Sequence, residues 1–133
     1  MSRQFKFKNR NLVLDFEGVI IEIDNISDAL VKTSIVGQKM VDYFNNMDTE
    51  GDTTKIVQDA TDFVLDCIDE VIGDGAADKI FANREPEYFD TLDVFNYIRE
   101  ELEVVGEEFV NRQNKEPIKL NRQQRRAMER KQV

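Results

Sequence analysis

Histidine and tryptophan are both absent from the 133 residues, and Cys67 is the single cysteine. Without histidine there is no imidazole general base, no Ser-His-Asp or Cys-His arrangement and no imidazole metal ligand. One thiol permits neither an internal disulfide nor a zinc cluster. No apolar run approaches the roughly 20 residues that a helix needs to span a bilayer. The opening Met1-Ser2-Arg3-Gln4-Phe5-Lys6 carries no secretory apolar stretch, which makes the cytoplasm the expected compartment.

What the chain does have is charge, together with enough apolar residues for one core. Hydrophobic residues make up 41% and charged residues 34%, the proportions of a single well-solvated domain. The net charge of -9 is divided unevenly. Residues 1–111 carry 25 acids against 10 bases, whereas residues 112–133 carry 8 bases against 2 acids. An acidic body therefore ends in a basic arm, read as flexible or helical. Such arms bind acidic partner surfaces, nucleic acid among them. This body would repel nucleic acid and, within about one Debye length (~10 Å at 0.1 M salt), attract its own arm or that of another subunit.

The pattern of the chain is β first and α afterwards. Phe5-Lys6-Phe7-Lys8 alternates strictly, and Leu12–Phe16 follows across Asn9-Arg10-Asn11, residues that tolerate the left-handed backbone of a tight turn. Val19–Ile23 reads as a third strand, so β structure is expected across 4–23. A sheet this small must lay its apolar face on helices. Helices are expected at about 27–46, 53–72, 76–82 and 87–110. Ser27 is the expected N-cap of the first, and Asp52 or Thr53 that of the second. In the second, Ile56, Ala60, Phe63, Val64, Cys67, Ile68, Val71 and Ile72 form one apolar stripe that stops at Gly73-Asp74-Gly75. Pro86 suits the first turn of the last helix, whose seam Leu92, Phe95, Ile98, Leu102, Val105 and Phe109 predicts packing along its whole length. Pro117 interrupts the chain before the basic segment. The fold class is α+β, a small N-terminal antiparallel sheet on a mainly helical body.

No set of residues has the makings of a catalytic site, and no cofactor is implied. Asp48, Glu50, Asp52 and Asp59 match positions of a calcium loop, but Thr53 replaces its glycine and Lys55 its apolar residue, so a solvated acidic loop is expected. Asp59, Asp62, Asp66, Asp69 and Glu70 line the polar side of the second helix, opposite its apolar stripe. That places them as a solvated face or a dock for a basic arm rather than a metal pair. Cys67 falls in mid-stripe, as a small buried hydrophobe does. Gly73-Asp74-Gly75 lacks the third glycine and the lysine of a phosphate cradle, and no strand precedes it. In the arm, Arg122, Arg126 and Arg130 would share one helical face, joined by Arg125; no aromatic is present there to stack on bases.

The segment from Phe63 to Phe81 resembles the tail assembly chaperones of long-tailed bacteriophages. Many of these, from phages of Gram-positive hosts, carry a similar run of Asp, two residues, an aromatic or aliphatic residue, Gly-x-Gly, three residues and Lys-Ile-Phe. It is matched here by Asp69, Ile72, Gly73, Gly75 and Lys79-Ile80-Phe81. They also often end in Asn-Arg-x-x-Arg-Arg, matched by Asn121, Arg122, Arg125 and Arg126. This chain departs from the pattern at Ile72, where an aromatic is usual, and at Ala76, where a hydroxyl residue is common.

The resemblance implies a non-enzymatic assembly factor of the host cell cytoplasm that is absent from the mature virion. It would bind and solubilise the tape measure protein and promote polymerisation of the tail tube, recruiting the tube protein through a longer frameshifted form. A homo-oligomer is expected and a membrane is not. The composition suits a holdase, with four Met and nine Phe in an acidic chain. The expected client surface is Met40, Phe44 and Met47, with the seam Phe95, Leu102 and Phe109 as a second candidate. The alternative is a nucleic-acid accessory acting through the basic arm; a third reading is a regulatory module whose acidic face mimics nucleic acid.

Overall fold

A computed structural model describes residues 3–7 and 11–115. Two strands, β1 (Leu12–Phe16) and β2 (Val19–Ile23), are followed by α1 (Ile26–Asn45), α2 (Thr53–Ile72), α3 (Ala76–Ile80) and α4 (Tyr88–Lys115). The class is α+β, an antiparallel two-stranded sheet leading into four helices.

The sheet is smaller than the alternating pattern predicts. Residues 3–7 lie outside it, and the hairpin turns at Glu17-Gly18; the turn expected at Asn9-Arg10-Asn11 falls on residues 9 and 10, which lie outside the described residues. The register pairs Phe16 with Val19, Leu14 with Ile21 and Leu12 with Ile23, leaving a two-residue loop. Both loop residues have positive φ, 52° at Glu17 and 95° at Gly18, the backbone that matches the twist of paired strands. The Gly18 N–H donates to the Asp15 carboxylate at 2.8 Å and holds the turn. The second and third expected strands thus pair as the pattern predicts, whereas the first, expected from Phe5-Lys6-Phe7-Lys8, does not join them over residues 3–7. Leu14, Ile21 and Ile23 face inward and are buried, while Val13, Asp15, Ile20 and Glu22 face solvent.

Capping residues set the helix bounds. Asn25, not Ser27, caps α1, its side chain accepting from the Asp28 N–H at 3.0 Å. Asp52 caps α2 through the Thr54 N–H at 3.0 Å. The turn from α2 into α3 is tied by Asp69, whose carboxylate accepts from the Ala77 N–H at 2.8 Å while its carbonyl accepts from the Gly73 N–H. Helix α3 stops at Ile80, short of the expected 82. Pro86 precedes α4 rather than opening it, and the Glu87 carboxylate accepts from the Phe89 and Asp90 N–H groups, both at 3.2 Å. The helix runs on to Lys115, past the expected end at 110.

Compactness divides the chain into Met1–Glu103 and Val104–Val133. In the first unit, Leu14 and Ile23 of the sheet meet Ala29 and Val36 of α1, Val64, Cys67, Ile68 and Val71 of α2, Ala77 of α3, and Phe95, Ile98 and Leu102 of α4. Phe16 on the sheet packs edge-on against Tyr97 at 5.3 Å. The second unit is described over the end of α4, where Phe109 and Val110 are exposed. Of the seam residues, Phe95, Ile98 and Leu102 are buried in the first unit, whereas in the second Val105 is half-buried and Phe109 exposed.

Candidate functional site

An open groove of about 680 Å³ lies between the end of α1 and the first half of α2. Its apolar surface comes from Tyr43, Met47, Ile56 and Phe63. Tyr43 and Phe63 lie face to face, ring centres 4.0 Å apart and planes 8° from parallel, so the two helices meet through one aromatic stack. Phe44 stands edge-on to both, at 5.3 Å from Tyr43 and 6.4 Å from Phe63, and reaches Tyr88 at the start of α4. The cluster joins groove to core. Burial raises the Tyr88 phenol pKa, with a further contribution from Tyr43.

The rim is acidic, with Asp42, Asp48 and Asp59 around the opening. Asp42 accepts from the Gln38 side chain at 3.1 Å, and Asp48 accepts from the Glu50 N–H at 2.9 Å. Lys39 is the cation of the lining, and its ammonium is paired with Glu70 at 2.7 Å, so it ties α1 to α2. An apolar floor with a carboxylate rim suits an apolar helix face flanked by lysine or arginine.

Of the expected client residues, Met47 lines the groove, while Met40 and Phe44 are half-buried and pack on the core beside it. Phe95 and Leu102 are buried, because the seam faces the centre of the first unit, so neither offers a surface to a partner in the folded chain. Phe109, in the second unit, is 63% exposed. Arg122, Arg125, Arg126 and Arg130 lie outside the described residues. Tyr43 and Phe63, the centre of the groove, were not among the expected site residues. Phe63 belonged to the apolar stripe of α2, and the stack appears only when two helices are set in register.

The acidic loop uses its carboxylates on its own backbone, and among the described residues no cluster of three or more potential ligands could hold a metal ion. Along α2, Asp59, Asp62, Asp66 and Glu70 are exposed and Asp69 serves the α3 turn. Cys67 is enclosed, and burial pushes its thiol up to about 11, with Glu70 and Asp66 adding to the shift. That is the opposite of an activated nucleophile. No helix among the described residues is long and apolar enough to cross a membrane.

The match to a family model over residues 17–129 places the chain in DUF6673, a family of unknown function. No curated protein and no solved structure matches it.

Proposed function

We propose that the chain is a non-catalytic tail assembly chaperone of a long-tailed bacteriophage. It holds an apolar helical segment of the tape measure protein in the groove between α1 and α2, keeps that client soluble and promotes tail tube polymerisation. The observation that carries the reading is the acid-rimmed aromatic groove, with Met47 at its edge and Met40 and Phe44 beside it. Methionine and aromatic surfaces adapt to irregular apolar helices, and the acidic body keeps the complex in solution. The resemblance of the Asp69–Phe81 segment to such chaperones supplies the identity of the client. The same resemblance supports a site of action in the host cytoplasm, absence from the virion and contact with the tube protein through a longer form.

Co-expression with a long tape-measure-like helical protein, followed by pull-down and light scattering, tests the reading. A soluble complex is expected, with the client insoluble alone. Met47→Arg with Ile56→Arg should abolish it while the helical circular dichroism is kept, since both side chains are only half-buried. Complex formation unaffected by these changes overturns the groove. Absence of any complex, with salt-sensitive RNA binding that vanishes on deletion of residues 112–133, establishes the nucleic-acid accessory instead.

A further inference from the structure

The segment Arg3–Phe7 has the composition of a strand and no strand to pair with. Phe5 and Phe7 are 79% and 87% exposed, more than any other large apolar side chain among the described residues. Their rings meet edge-to-face at 4.8 Å, so both sit on one side of the segment, as residues two apart do along a strand. The sheet they precede has only two strands, and helix α3 packs beside β2. The β1 edge has no further strand among the described residues, and an open edge is a template for another chain.

We propose that Arg3–Phe7 of one copy adds as a third strand to the β1 edge of a second copy, completing the sheet between subunits. The two segments match in length, five residues each. With Phe5 and Phe7 continuing the inward apolar face of Leu12, Leu14 and Phe16, Lys6 falls on the outward face beside Asp15. The charges are complementary throughout. Residues 1–10 carry four bases and no acid, whereas residues 11–24 carry Asp15, Glu17, Glu22 and Asp24 and no base. Within its own chain the segment stays out of the sheet. A second copy meets the same edge without the constraint of a tight connection, by the main-chain pairing used in strand addition. The inference does not depend on the chaperone reading.

Light scattering of the full chain tests it. A mass that is a multiple of 15.5 kDa is expected, and Phe5→Ser with Phe7→Ser should return it to that of one chain with an unchanged helical spectrum. Lys6→Glu should weaken association, and adding Asp15→Lys should restore it. In a Cys67→Ala background, mixing chains carrying Lys6→Cys with chains carrying Asp15→Cys should give a disulfide-linked heterodimer under oxidation. A monomeric parent chain, a serine variant that keeps the parent mass, or mixed cysteines that form no heterodimer overturns the proposal. If the serine variant is monomeric yet still holds a tape-measure client, the assembly contact and the client groove are separate.

Discussion

Gly37 lies in the middle of α1, and a Cβ placed there would meet nothing within 4 Å. Its backbone is helical, so the residue costs chain entropy and gives no access that an alanine would block. Gly37→Ala is expected to stabilise the isolated chain by about 0.5–1 kcal/mol, measured by urea unfolding. A loss of stability would show that something closes on this helix face. Cys67 behaves differently because it is enclosed. Its thiol titrates at about 11 in the folded chain against an ordinary value of 9.0, so folded and unfolded chains alike hold the proton below pH 9. As pH rises from 9 towards 11 the unfolded thiol ionises first, which favours unfolding, and this contribution to stability is lost. The melting temperature of the parent chain should therefore fall more steeply across that window than that of Cys67→Ala. Parallel curves would refute the assignment.

The elements differ in how far the sequence determines them. In α2 the apolar stripe, the Asp52 cap and the Gly73 stop agree with one another, so its place is legible from the residues alone. The sheet is legible only in part: Leu12–Phe16 and Val19–Ile23 pair as their patterns predict, but the expected first strand stays out of the sheet over residues 3–7. Glu17-Gly18 closes two strands with the shortest loop, and Asp15 bonds the turn from outside it. Alternation says which residues could form a strand and nothing about which edge they find. Gly18→Ala should cost about 1–2 kcal/mol, since a Cβ is strained at its φ of 95°. Glu17→Asn should gain a few tenths by suiting the left-handed backbone at 52°. Thermal melts of the two variants test this turn, and two unchanged melting temperatures would refute it. The groove was half legible for a related reason. Met47 stands out by type at the end of α1, whereas Tyr43 and Phe63 acquire their role only from the register between two helices.

At the scale of the whole molecule, the body surface is dominated by carboxylates, and the cations that remain on α1 are already engaged. Lys32 pairs with Asp28 at 2.9 Å, which raises its pKa, and Lys39 pairs with Glu70. A partner bound at the groove through basic flanks should therefore lose affinity with salt, and Asp42→Asn with Asp59→Asn should flatten that dependence. Titration at two ionic strengths measures both effects. The two-stranded sheet carries a further consequence. If its third strand comes from another copy, association draws on the same free energy that holds the fold. The melting temperature then rises with protein concentration, by mass action, as it does for any chain stabilised by a ligand that happens to be itself. Freshly synthesised and scarce, the protein would carry an unfinished sheet; only after accumulating would it become rigid, so its own dosage would time its readiness.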